Sequence, residues 1–342
     1  MEQVSQIFGS SKPNQNDTVA TVVSANALKT IAVLGMGAMG TRMAKSLLHA
    51  GFAVTVWNIV AQACQPLVAL GAQHATTPRE AATSADFVIA MVWDDEASRY
   101  VWLDKDVGAL TGMKPGAIAL ECATLTIGHE KNLATACSQH GIEFVSAPMS
   151  GSLPEADNRT LVFTVGASEA AFKSVEPVLL AMGSRVSWAG GPTDGISLKL
   201  TINGKLGIEY VAAAEMTALM TVADMDTERR IGIMSGTAPF SARGLREMQF
   251  MLDRNQAVRV KVNQLIKDLG NQILQFDAYA VPCPIHRAAL HEFELARDAG
   301  YGESDAISLC AIYQARAVAA TDERKAVDEV LETNQGLATL FS

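Results

Sequence analysis

The chain reads as an α/β protein: an N-terminal Rossmann-type, doubly wound parallel sheet, a long interdomain helix and an all-α C-terminal domain. Three observations predict this. Apolar strand-like runs alternate with helical stretches from about residue 29 to 190, as in a sheet covered by helices on both faces. A Gly-x-Gly-x-x-Gly segment joins the first of those runs to the first helix. Beyond Gly190-Gly191-Pro192 the strand signal fades, and Ala, Leu, Met and Ile dominate.

Taken in order, residues 1–28 are polar and aperiodic, and are expected to form a flexible arm. The dinucleotide-binding domain is expected over 29–190. It opens with Thr30-Ile31-Ala32-Val33-Leu34, a short β-prone run suited to a buried parallel strand. Gly35-Met36-Gly37-Ala38-Met39-Gly40 follows, then a helix with Met43, Ala44, Leu47 and Leu48 on one face, then a second strand at Ala53–Trp57. In that setting Gly35 permits the tight turn, Gly37 lets backbone approach a pyrophosphate, and Gly40 lets the helix pack closely on the sheet. The helix N-terminus offers free N–H groups to the phosphates. No acidic residue stands where an NAD ribose would be held, and no Arg or Lys where a 2′-phosphate would be clamped; Asn58 follows Trp57 and is able to bond either ribose. Further strands are expected at Phe87–Val92, Ala117–Glu121, Glu143–Val145, Leu161–Val165 and Arg185–Trp188, with helices between them at Arg79–Thr83, Glu130–His140 and Glu169–Met182.

The helical domain is expected over 191–320. It begins with one helix from about Ile196 to Met225, roughly 45 Å long at 1.5 Å per residue. Lys199 and Asn203 share a face near its start. Further helices are expected at Thr227–Ser235, Ala242–Asp253, Val260–Phe276, Pro284–Ala299 and Ser304–Tyr313, with a peripheral, charged tail over 321–342.

Composition narrows the function. With 27 Lys plus Arg against 36 Asp plus Glu, the net charge is −9, which argues against broad binding to nucleic acid or anionic membranes. No apolar stretch approaches a membrane span. Cys64, Cys122, Cys137, Cys283 and Cys310 are scattered, and the histidines show no zinc spacing, so no metal site is expected and reduced, cytoplasmic thiols are.

These residues resemble the β-hydroxyacid dehydrogenase family, which includes 3-hydroxyisobutyrate dehydrogenase, with the imine reductases as relatives. Beyond the glycine loop, Ala147-Pro148-Met149-Ser150-Gly151-Ser152 is similar to that family's substrate-loop motif. Gly190, Gly195, Lys199 and Asn203 stand where it has its glycine turn, catalytic lysine and substrate asparagine. Lys267-Asp268-Leu269 resembles its KDL element, and Gly300-Tyr301-Gly302 with Asp305 its C-terminal signature.

The resemblance implies NADP or NAD as cofactor, with family habit favouring NADP. Cofactor contacts would come from Gly35, Met36, Gly37, Ala38, Met39, Gly40, Asn58, Val92, Thr124 beside the nicotinamide ribose, and Lys267 closing from the helical domain. Lys199 would be the general acid/base and Asn203 would orient the substrate oxygen or carboxylate. Ser150, Gly151 and Ser152 would bind the substrate carboxylate. Trp93 and Met149, where the family has proline and valine, would shape the substrate pocket, unless Trp93 merely packs under its loop. The helical domain would be of the 6-phosphogluconate dehydrogenase-like kind, and the chain a homodimer or homotetramer. The expected activity is hydride transfer between nicotinamide and a small hydroxy acid or aldehyde acid. An imine reductase and a non-catalytic nucleotide-binding module are the alternatives. Lys199 favours the first reading, because a nascent alkoxide needs a proton donor.

Overall fold

The computed structural model describes residues 29–223, 225–255 and 257–320; the arm and tail expected at the termini lie outside them. The chain divides into two compact units. The first holds the residues up to Ala123 together with Gly128–Ile196, and the second holds Thr124–Ile127 and the residues from Ser197 onward.

The first unit contains β1 (Thr30–Leu34), α1 (Ala38–His49), β2 (Ala53–Trp57), α2 (Gln65–Val68), β3 (Gln73–His74), α3 (Pro78–Ala82), β4 (Phe87–Ala90), α4 (Asp95–Leu103) and β5 (Ile118–Glu121). After α5 (Ile127–Gln139) it continues through β6 (Glu143–Ser146), β7 (Met149–Ser150), α6 (Leu153–Asp157), β8 (Leu161–Gly166), α7 (Glu169–Leu180) and β9 (Gly183–Gly190). Its strands form one sheet in the order β3-β2-β1-β4-β5-β6-β8-β7, with β9 beside β8. Strands β1 to β6 pair in parallel, with Ile31 opposite Val54 and Phe87. The sheet departs from the expected all-parallel arrangement at one edge: β8 runs antiparallel to β6 and β7. β7 lies in the link between β6 and β8 and pairs with β8 through Met149 opposite Phe163 and Ser150 opposite Val162.

Side-chain alternation explains why the strands are apolar throughout. Ile31, Val33, Val56, Ile89 and Leu120 enter the core on one face, while Ala32, Leu34, Val88, Ala90 and Ala119 enter the core on the other. A strand buried on both faces has no polar side to show.

A glycine sets the start of the next helix, α8 (Asp194–Val222). A Cβ on Gly195 would lie 2.7 Å from the Gly166 nitrogen and 2.8 Å from the Ser146 carbonyl oxygen. With none there, the Ser146 hydroxyl reaches the Ile196 N–H at 3.1 Å and accepts from one of the donors a helix start leaves open.

The second unit is helical: most of α8, then α9 (Thr227–Met234), α10 (Ala242–Leu252), α11 (Val262–Ala278), α12 (Pro284–Ala296) and α13 (308–320). A π-helical turn at Arg297–Tyr301, with Gly300 at φ +92°, ends α12 earlier than the sequence suggested. Tyr210, Ala214, Met248, Leu265, Leu269, Phe293 and Leu309 form its core. Gly207 lets α11 approach closely, since a Cβ there would stand 2.9 Å from the Leu269 side chain. All five cysteines are buried and unbridged, and no described helix is long and apolar enough to cross a membrane.

Candidate functional site

The glycine loop of the first unit has the form a pyrophosphate needs. Gly35 sits at φ +101°, and a Cβ there would strike the Met91 carbonyl oxygen at 2.4 Å and crowd Val92 at 3.3 Å. A Cβ on Gly40 would lie 1.9 Å from the Gly35 carbonyl oxygen, so α1 seats on the turn only because none is present. Gly37 faces open space, and as the N-cap it supplies no side-chain acceptor, so the first N–H groups of α1 remain available to an anion. Met36, Ala38 and Met39 complete the loop. Asn58 is drawn into it: its Oδ1 accepts the Met36 N–H at 2.9 Å, and its Nδ2 donates to the Val60 carbonyl at 3.1 Å. The side chain that was expected to read the ribose thus first shapes the loop. These features fit a dinucleotide phosphate. Trp93 lies just beyond β4 and is 50% exposed, so it does not pack under its loop.

The substrate-loop residues diverge in their surroundings. Strand alternation sends Met149 into the apolar core, 6% exposed, and leaves Ser150 half-buried. Met149 therefore lines the core and not an open pocket. Gly151 turns at φ +126°, against Glu155 and Leu161. Ser152 is the N-cap of α6: its N–H donates to the Glu155 carboxylate at 2.7 Å and its hydroxyl takes part in the same reciprocal cap.

A buried polar group occurs between α4, β5 and α5. Glu121 accepts from Ser98 Oγ at 2.8 Å, Trp102 Nε1 at 2.9 Å and the Ala123 N–H at 3.0 Å. His129 Nε2 lies 2.9 Å from the same serine hydroxyl. Burial pushes the Glu121 carboxyl up to about 7 despite these donors, and raises Glu130 well above the usual range despite the Ser146 hydroxyl. Sequence reasoning assigned none of these residues a role; the one available signal was an acidic residue ending an apolar strand.

In the second unit, helix periodicity brings Lys199 and Asn203 to one buried face of α8, 9% and 4% exposed. Asn203 Nδ2 donates to Asp268 Oδ2 at 2.7 Å. The other oxygen of Asp268 lies 3.2 Å from Lys267 Nζ, which donates to the Thr124 carbonyl at 2.6 Å. Lys199, Asn203 and Lys267 thus meet around Asp268, which the sequence offered only as part of a motif, and Thr124 is held through Lys267. Asp268 is fully buried, and its signal was a charge within the apolar stripe of Leu265, Leu269 and Ile273. Burial pulls Lys199 down from 10.5 to about 8; Asp268 opposes this, while Lys267 and Arg243 add to it. An amine so placed exchanges a proton near neutral pH. No cluster suited to a metal ion occurs among the described residues.

Comparison with known proteins agrees with this geometry. Residues 30–190 match the family model of the NAD-binding domain of 6-phosphogluconate dehydrogenase. Residues 193–313 match the NAD-binding model of NADP-dependent 3-hydroxyisobutyrate dehydrogenase. The NAD-dependent L-serine dehydrogenase of Pseudomonas aeruginosa is 30% identical, over 81% of this chain and 95% of that one. The chloroplastic glyoxylate/succinic semialdehyde reductase 2 of Arabidopsis thaliana is 27% identical, over 86% and 80%. The crystal structure of 3-hydroxyisobutyrate dehydrogenase from Salmonella typhimurium superposes with a TM-score of 0.74 at 29% identity, covering 83% of this chain and 99% of that one. With a dinucleotide loop, a helical second unit and relatives aligned over nearly their whole length, the chain belongs to the β-hydroxyacid dehydrogenase family of NAD(P)-dependent oxidoreductases.

Proposed function

We propose that the chain interconverts a small hydroxy acid and its aldehyde acid, with Lys199 exchanging the proton of the substrate oxygen. The observation that carries this reading is the burial of the Lys199 amine, with its proton affinity lowered to about 8 beside Asn203 and Asp268. The bound dinucleotide supplies the hydride acceptor or donor. The rest falls to the chain's own groups. Lys199 protonates the nascent alkoxide in reduction and receives the hydroxyl proton in oxidation. Asn203, held by Asp268, orients the substrate oxygen. Lys267, fixed between Asp268 and the Thr124 carbonyl, places a cation beside them. In the first unit, the Gly35–Gly40 loop is assigned the pyrophosphate, and Ser150 and Gly151 the substrate carboxylate. The names of the relatives support the substrate class: L-serine is a hydroxy acid, and glyoxylate and succinic semialdehyde are aldehyde acids. Lys199 favours a carbonyl over an imine substrate, because a nascent alkoxide needs a proton donor. Apolar side chains left exposed on the second unit, Leu219, Ile233, Leu274 and Ile285 among them, support a homodimer or homotetramer.

The test is Lys199→Ala. Loss of a positioned acid/base lowers kcat/KM by about 10²–10⁴, while the dissociation constant for NADPH or NADH stays within about twofold, since the phosphate loop is untouched. Undiminished turnover in this variant would remove Lys199 from the chemistry.

A further inference from the structure

Glu121 ends β5 with its carboxyl fully buried. Burial outweighs the donors around it, so the group weakens the fold that holds it. Its hydrogen bonds nonetheless join two parts of the first unit. Ser98 and Trp102 stand four residues apart on one face of α4, and both donate to Oε2, at 2.8 and 2.9 Å. The other oxygen, Oε1, accepts the Ala123 N–H at 3.0 Å. One side chain thus ties the helix that follows β4 to the backbone that leaves β5.

Both connections lie at one end of the sheet. Strands β1, β4 and β5 run parallel, so the chain leaves β4 and β5 at the end where Gly35 leaves β1. Val92, between β4 and α4, borders the Gly35 turn, 3.3 Å from where a Cβ on that glycine would stand. Doubly wound sheets take their ligands at the carboxyl ends of the strands. The tie made by Glu121 therefore spans two of the connections at the dinucleotide end.

The geometry points to Glu121 as a positioning residue for the dinucleotide: by bridging α4 and Ala123 it fixes the backbone beyond β4 and β5 on which the cofactor rests. It acts through that backbone and not by contact. The assignment concerns cofactor binding alone, so it is independent of the action of Lys199. A carboxyl is the group the bridge requires, because Ser98, Trp102 and Ala123 all donate to it. A carboxylate accepts from all three. A protonated carboxyl serves them too, its hydroxyl oxygen accepting from Trp102 while its proton is shared with Ser98 Oγ. A glutamine amide has a single acceptor oxygen. With that oxygen turned toward α4, its NH2 group faces the Ala123 N–H; with it turned toward Ala123, the NH2 group faces the Trp102 N–H. Either way one end of the bridge is released.

Dissociation constants for NADH and NADPH are measured by fluorescence titration of the full-length protein, with urea melts alongside to confirm folding. Glu121→Gln raises the constant for the cofactor the native protein binds by at least about fivefold. Adding Trp102→Phe removes the competing donor, so the amide oxygen takes the Ala123 N–H and its nitrogen donates to Ser98 Oγ. Affinity then returns to within about twofold of native while stability falls further, because the lost indole leaves a gap in the core. A purely structural role would move both in the same direction. Should the double variant not fold, Glu121→Asp decides. It keeps the charge but, one methylene shorter, cannot span Ala123 and α4, and it weakens binding as Glu121→Gln does. Native affinity in folded Glu121→Gln or Glu121→Asp protein, failure of Trp102→Phe to restore it in a folded double variant, or binding of neither cofactor by the native protein overturns the assignment.

Discussion

Lys199 combines two opposing demands. Its ammonium is disfavoured by burial and by two neighbouring cations, yet Asp268 keeps the charged form accessible. The balance near 8 makes proton exchange dependent on pH within a convenient range. In oxidation the neutral amine is the competent form, so kcat/KM should rise with pH and level off above about 8. In reduction the ammonium is competent, and the same limb should fall. Rates measured in both directions from pH 6.5 to 10 check this, and parallel profiles would contradict it. Lys199 and Asn203 were legible from spacing and resemblance, since a four-residue interval on a helix is a geometric statement. Asp268 was legible only as one letter of a motif. Its role depends on α11 lying against α8, and such a long-range pairing leaves no local trace. The pairing of Glu121 with Ser98 was hidden for the same reason, since the two come from separate elements, β5 and α4.

Local signals were strongest where one element explains itself. The β1–loop–α1 unit combines an apolar strand, three glycines and an amphipathic helix, and the structure reproduces each of them. The antiparallel edge was not foreseen, because β7 is two residues long and owes its direction to pairing with β8. Ser152, named from the resemblance as a substrate ligand, also closes a helix cap with Glu155, three residues on, and that pairing was not foreseen. The close seating of α1 gives a test. A methyl group on Gly40 would overlap the Gly35 carbonyl, so Gly40→Ala should push the helix off the turn. Overpacking of this kind costs about 1–3 kcal/mol of stability, and the displaced N–H groups should weaken NAD(H) binding at least tenfold. Denaturant melts and fluorescence titration measure the two effects. Native affinity in the variant would show that the seating of α1 is not what presents those donors.

At the scale of the whole molecule, two buried acids, Glu121 and Glu130, have their proton affinity raised by burial, at a cost in stability. Glu121, taken at about 7 in the fold against 4.5, is protonated in the folded chain over an interval in which the unfolded chain has already released the proton. Stability therefore falls as pH rises from about 4.5 to 7, by about 3 kcal/mol from this residue. Glu130 acts in the same direction. The unfolding midpoint should accordingly be higher at pH 5.5 than at pH 7.5, and Glu121→Gln should flatten the difference; an unchanged slope in that variant would place the proton elsewhere. The bond from Lys267 to the Thr124 carbonyl has a consequence for anyone dissecting the protein. Residues 124–127, which belong with the helical unit, are encoded some seventy positions ahead of the rest of it. A recombinant fragment starting at Ser197 would leave that ammonium facing its neighbours without its oxygen, and a cut at the obvious boundary would discard a working part of the half it was meant to isolate.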